Sequence, residues 1–243
     1  MEIDVFPTIT SATDEGLNGK VVLVVDTLRA TTTIAAALDA GCLEIIPVIT
    51  PEEAIEMRER LGDERVLLGG ERGAVKIPGF DLGNSPLEYT PEIVQGKRII
   101  MTTTNGTRAI RKATPARLVL LAALINAPAV AEAVVGMGGG DITILCAGTR
   151  DRFSLEDFLT AGLLVSELEK KGNYILRDGA LAAREFYRTV RTDILKVLKQ
   201  SLHGAQLLEL GFGPDLEYSS QVGILKVVPV YNGGLVKKYS AGD

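Results

Sequence analysis

Four short segments carry side chains that could hold and cleave an anionic ester. The first has Asp26, Arg29 and three threonines at 31–33; the second has Gly69, Gly70, Glu71 and Arg72. The third has Thr102, Thr103, Thr104, Asn105, Gly106 and Thr107; the fourth has Cys146, Gly148, Thr149, Arg150, Asp151 and Arg152. Carboxylates bind hard cations such as Mg²⁺, guanidinium forks grip anionic oxygens, and helix N-termini offer free N–H groups. Together these donors suit a phosphate ester. The loop GFDLGNSP at 79–86 adds Asp81, Asn84 and Ser85 as pocket-lining candidates. His203, the chain's single histidine, is the side chain with an ordinary pKa near neutrality.

Other readings of the same residues stand beside these. Asp26 also fits a helix cap, Glu71–Arg72 a surface ion pair, and TTTNGT a capped turn. Glu156 and Asp157 fall in the first turn of a helix after Ser154, where the dipole and a capping pattern explain them. His203 precedes Gly204, as a residue at a helix C-terminus would. Cys146 and Arg152 form C-x₅-R between a strand and a helix, the spacing of a thiolate phosphatase. Phe153 stands where such enzymes usually carry Ser or Thr.

The four segments each follow a short apolar run. Strands are expected at 21–25, 43–48, 66–68, 98–101, 118–121, 142–145 and 226–230. Helices are expected at 30–40, 51–61, 105–113, 127–135 and 155–171. Alternation of the two implies an α/β fold with a largely parallel sheet, whose ligands bind at the carboxyl ends of strands. All four turns would then meet on one edge. A long helix, or two with a bend, is expected over 181–202. Its Arg184, Arg188, Arg191, Lys196 and Lys199 make either a solvated face or a wall that attracts an anion. VVLVVDTLRATTTI, RIIMTTTNGTRAI and ITILCAGTRDRFSLEDF echo one another weakly, as in a duplication or in the common grammar of βα units.

The 243 residues carry 26 Lys plus Arg and 31 Asp plus Glu, a net charge of −5. That balance argues against nucleic acid as a partner. One His and two Cys leave no ligand set for a zinc cluster, and two distant cysteines make no disulfide scaffold. No phosphate-binding P-loop, dinucleotide fingerprint, nucleophile elbow or kinase signature is present. The first ten residues do not read as a signal peptide, and 118–135 is too polar to span a membrane. A cytoplasmic protein without membrane contact is expected, folded as one domain over 1–243, or as two similar lobes dividing near 115–140. A homodimer is expected of a compact metabolic enzyme.

In order, DTLRATTTI (26–34), GGER (69–72), GFDLGNSP (79–86), TTNGTRA (103–109), CAG with SLEDFLTAG (146–162) and SLHG (201–204) resemble the 2-phosphosulfolactate phosphatase family across nearly the whole chain. The resemblance implies a three-layer α/β/α sandwich with a mostly parallel or mixed sheet. It implies an Mg²⁺-dependent phosphohydrolase that converts (2R)-2-phospho-3-sulfolactate to 3-sulfolactate and phosphate, a step of coenzyme M biosynthesis. Another 2-hydroxy-acid phosphate ester, or a non-catalytic phospho-acid-binding module on the same site, is the alternative. On this reading Asp26 and Glu71 ligate Mg²⁺, and Glu156 or Asp157 completes the shell. Arg29 and Arg72 bind phosphate or sulfonate. Thr31, Asn84, Ser85, Asn105, Thr107 and Thr149 position the ester, with Cys146 beside them. His203 protonates the leaving oxygen. A water positioned by Mg²⁺ is the preferred nucleophile and Asp26 the rival; Leu28 stands where aspartyl phosphatases carry their second Asp.

Overall fold

A computed structural model describes residues 1–240. Its strands are β1 (Glu2–Phe6), β2 (Val21–Val25), β3 (Glu44–Pro47), β4 (Val66–Arg72), β5 (Val75–Lys76) and β6 (Arg98–Thr102), then β7 (Leu118–Ala122), β8 (Ile142–Cys146), β9 (Ile175–Leu176), β10 (Pro229–Asn232) and β11 (Leu235–Lys238). They form one sheet in the order β5-β4-β6-β3-β11-β10-β7-β2-β8-β1-β9.

The alternation of side chains across a strand explains the three layers. β2 is VVLVV, buried at every position. Val21, Leu23 and Val25 enter one apolar core, whereas Val22 and Val24 enter another. β7 divides likewise, with Leu120 and Ala122 on the first side and Val119 and Leu121 on the second. A strand with both faces apolar needs a helix on each side. Helices Ala127–Gly136 and Leu155–Glu169 cover the first face, and helices Ala30–Asp39 and Gly106–Lys112 the second. Truncating a fully buried residue such as Leu23 to Ala would cost ~2–5 kcal/mol. A third core joins Val66, Leu68 and Ile100 to Ala54 of helix Pro51–Leu61.

The sheet has two parallel parts, β4-β6-β3 and β7-β2-β8-β1-β9. The antiparallel hairpin β10–β11 stands between them, β10 pairing with β7 and β11 meeting β3 at Val236 and Ile45. The parts interleave along the chain, since β2 precedes β3 yet lies beside β7. A cut near 115–140 therefore does not separate them.

Four strands escaped the periodicity: β1 mixes charged and apolar residues, β5 and β9 have two residues each, and β11 ends in two lysines. The strand expected at 226–230 forms at Pro229–Asn232. The expected long helix over 181–202 is three: Asp178–Val190, Ile194–Gln200 and Leu202–Glu209. Two internal caps restart it, because the Asp193 carboxylate accepts from Lys196 N–H and Ser201 Oγ accepts from Gly204 N–H. Its basic residues form a solvated face, with Arg184 and Arg188 paired to Glu169 and Glu185. Among the described residues, no helix is long and apolar enough to cross a membrane.

Candidate active site

The turn after β2 is built around Asp26. Thr31 Oγ1 donates to the Asp26 carbonyl at 2.8 Å and accepts its N–H at 3.1 Å, closing the turn onto helix Ala30–Asp39. Ala30 N–H points at Asp26 Oδ1, 3.4 Å away. The turn after β6 crosses the same carboxylate. A Cβ on Gly106 would lie 2.7 Å from Asp26 Oδ2, so a residue without a side chain lets the two turns approach. Glu71, at the end of β4, ties the second and third turns together. Its Oε1 accepts Thr104 N–H at 2.7 Å and its Oε2 accepts Ala74 N–H at 2.8 Å.

The four turns meet in one cleft of about 460 Å³, counted out to its open mouth. Of the residues singled out from the sequence, Asp26, Arg29, Glu71, Asn84, Asn105, Thr149 and His203 line it. Thr104 and Arg150, named in the same turns, line it too, and Leu28 and Gln206 join them. His203 lies in the first turn of helix Leu202–Glu209, after the Ser201 cap, and not at a helix end. Its Nδ1 is 3.3 Å from Gln206 Oε1.

Burial pushes the Asp26 carboxyl up to about 7, with Glu71 and then Glu156 adding like-charge repulsion; Ala30 N–H and Arg29 offset part of this. A bound cation would relieve that repulsion. Among the described residues no three His, Cys, Asp or Glu side chains are arranged as a metal-ligand group. Asp26 and Glu71 are the carboxylates that line the cleft. Two carboxylates, with water and ligand oxygens completing the shell, would suit a hard divalent cation such as Mg²⁺.

The remaining candidates serve the walls instead of the cleft. Arg72 donates to the carbonyls of Glu71 and Ile49 and to Thr102 Oγ1, so its guanidinium is spent on loop closure. Thr107 exchanges hydrogen bonds with Thr103, and Thr31 closes the Asp26 turn. Glu156 and Asp157 are buried behind the turns. Asp157 does not cap its own helix. Its Oδ1 accepts Thr27 N–H at 2.8 Å and its Oδ2 accepts Gly148 N–H at 3.1 Å, pinning the turn after β2 to the turn after β8. Ser154 makes no capping bond. Cys146 is fully buried, and burial pushes its thiol well above the usual range, with Asp157 and Glu156 adding to the rise. It neither lines the cleft nor has the lowered pKa that a thiolate nucleophile needs.

Sequence reasoning missed Asp215. It lies in helix Gly213–Ser219, yet its Oδ2 accepts from Arg29 NH1 at 2.7 Å and its Oδ1 accepts from Ser85 Oγ at 2.6 Å. Arg29 also donates to the Ala74 carbonyl at 2.7 Å and stacks over Phe212, 4.2 Å from the ring centre. Arg29 and Asp215 are buried, and an ion pair of that kind is held by its extra hydrogen bonds. No local motif marks Asp215, since 186 residues separate it from Arg29.

A strand-end cleft with two carboxylates, buried hydroxyls and amides, guanidinium groups and one histidine defines an enzyme class that handles a small anionic ester. Comparison with known proteins narrows the class. The family model described as 2-phosphosulpholactate phosphatase matches residues 8–234. A Symbiobacterium thermophilum protein named as a probable 2-phosphosulfolactate phosphatase is 45% identical over 223 residues, covering 91% of this chain and 95% of its own. One of that name from Clostridium botulinum is 41% identical over 239 residues, covering 98% and 100%. Another, from Caldanaerobacter subterraneus, is 41% identical over 237 residues, covering 98% of each. The chain belongs to the 2-phosphosulfolactate phosphatase family, and its reaction class is phosphoric monoester hydrolysis.

Proposed function

We propose that the protein hydrolyses (2R)-2-phospho-3-sulfolactate to 3-sulfolactate and phosphate with Mg²⁺, the step used in coenzyme M biosynthesis. The observation that carries this reading is the meeting of Asp26 and Glu71 with Arg29, Arg150 and His203 in one cleft. A divalent cation held by Asp26 and Glu71 would neutralise the ester phosphate and polarise it towards attack.

The chain's own residues supply the rest. Two backbone N–H groups hold the Glu71 carboxylate, Thr31 holds the Asp26 backbone, and Ala30 N–H meets the Asp26 carboxylate, so both residues are positioned before any ligand arrives. Asn84 Oδ1 and Thr104 Oγ1 are buried without partners among the described residues and are free to take ligand or water hydrogen bonds. Where Gln206 Oε1 accepts, His203 Nδ1 carries the hydrogen, leaving Nε2 to exchange a proton with the leaving oxygen. Cys42 and Cys146 are both free and buried, in keeping with a reducing cytoplasm.

The test is phosphate release from a panel of 2-hydroxy-acid phosphate esters, with Mg²⁺ and with EDTA. The expected result is turnover of 2-phosphosulfolactate that needs Mg²⁺. Binding of the ester without phosphate release, measured by calorimetry beside the assay, would replace the enzyme reading with a binding module.

A further inference from the structure

Two cationic guanidinium groups line the cleft, Arg29 and Arg150, and they differ in what they have left to give. Arg29 is largely committed: Asp215 neutralises its charge, the Ala74 carbonyl takes a second donor, Phe212 covers its plane, and of its nitrogens Nε alone is left without a partner among the described residues. Arg72, the other arginine that the sequence offered for anion binding, is spent on loop carbonyls away from the cleft. Arg150 enters no salt bridge with any described residue, and its side chain is exposed at the cleft wall. With Arg29 offset by Asp215, the charges left facing the cleft are Asp26, Glu71 and Arg150.

The backbone presents Arg150 at a cost. Arg150 and Asp151 have φ of 52° and 61°, two successive non-glycine residues in the left-handed region. Such positions each cost ~1–3 kcal/mol and persist where their surroundings over-determine them. Here Thr149 and Arg152 pair through both backbone hydrogen bonds, Asn105 Oδ1 accepts Arg150 N–H at 3.2 Å, and Arg108 bridges to Asp151 at 3.1 Å. The turn after β6 thus clamps the turn that carries Arg150. Beyond it the cleft opens into a groove lined by Arg152, Leu202 and Glu209.

We infer that Arg150 is the specificity-determining residue for the second acid group of the substrate, and that this group is a sulfonate. The inference rests on the function proposed above. The phosphate takes the end of the cleft that carries Asp26 and Glu71. The carboxylate sits on the carbon that bears the ester, whereas the sulfonate sulfur reaches one bond further. A sulfonate stays ionised at every physiological pH and offers three oxygens to a guanidinium fork. Discrimination against the analogue without that group then comes from the guanidinium–sulfonate pair that the smaller ester does not form.

The experiment compares kcat/KM for 2-phosphosulfolactate and for 2-phospholactate, esters that differ by the sulfonate, in the parent enzyme and in Arg150→Gln. The preference for the sulfonated ester should fall by about tenfold or more in Arg150→Gln, mainly through KM. Arg150→Lys should keep part of the preference, because it keeps the charge without the fork. A preference unchanged within about twofold in Arg150→Gln would overturn the inference. If the parent hydrolyses neither ester, the proposed function fails, and the subsite is judged by titrating 3-sulfolactate and lactate into both proteins. Selective loss of 3-sulfolactate binding in Arg150→Gln supports it; equal binding by both proteins overturns it.

Discussion

Asp26 and Asp157 begin from the same circumstances and end in different work. Each is buried, each lies where a strand end gives way to a helix, and each carboxyl is pushed up, first by burial and then by acidic neighbours. Asp157 gives both oxygens to backbone N–H groups, of Thr27 and Gly148, and those bonds hold two turns in register. Asp26 has one long contact with Ala30 N–H and faces the cleft. Burial and a displaced pKa therefore do not mark the chemical residue. A place on the cleft wall does: Asp26 lines the cleft, as does Glu71 even though both its oxygens accept backbone N–H groups, and Asp157 does not.

Asp26→Asn gives the largest expected effect: a loss of phosphate release of about 10³-fold or more at unchanged fold, read by steady-state assay and circular dichroism. Full activity in that variant would remove Asp26 from the chemistry. Asp157→Ala should act on stability first. It strands two buried N–H groups at ~1–3 kcal/mol each, which urea unfolding would show as a lower midpoint. If Asp157→Ala lost turnover with no loss of stability, the division between the two residues would collapse.

The pH dependence of unfolding sharpens the contrast. The Asp26 carboxyl stands at about 7 in the folded protein against an ordinary 3.8, so between those values the folded state binds more protons than the unfolded chain. Its contribution to stability is fully present below pH 4 and is lost as pH rises through 7. Across the whole window this amounts to roughly 4 kcal/mol at most. Melting temperatures taken in EDTA between pH 4.5 and 8 should fall with pH, and Asp26→Asn should flatten the slope. Asp157 is shifted in the same direction, so part of the slope should survive in Asp26→Asn. Mg²⁺ should raise the melting temperature of the parent at pH 8 and have little effect on Asp26→Asn. The smallest expected effect is that of Cys146→Ser, within about threefold in turnover, because a buried thiol pushed upward is no nucleophile. Loss of turnover in that variant, with activity insensitive to EDTA, would reverse the choice between metal and thiolate chemistry.

The site was legible where local rules decide it. Val21–Val25 is a continuous apolar run and Ile142–Cys146 is apolar at every position but Thr143, and a ligand-bearing turn after each follows from the geometry of α/β sheets. That rule places Asp26, Glu71, Asn105 and Thr149 on one edge without a single long-range contact. It fails for Arg72, Thr107 and Cys146, which share those turns but point their polar atoms into the walls. It does not reach His203, which lines the cleft from a helix start, because the two caps that break 181–202 into three helices replace the expected helix end.

By itself the sequence determined the alternation of strand and helix, the edge on which chemistry gathers, and the family. These depend on apolar periodicity, on caps and on short motifs, all of them encoded within a few residues. Only the tertiary structure decided which guanidinium is free. Arg29 and Arg150 each follow a strand within the same kind of turn. What separates them is Asp215, brought 186 residues along the chain to neutralise Arg29, and the left-handed turn that leaves Arg150 exposed at the cleft. Charge compensation of that kind depends on distance through space, which spacing along a chain does not record.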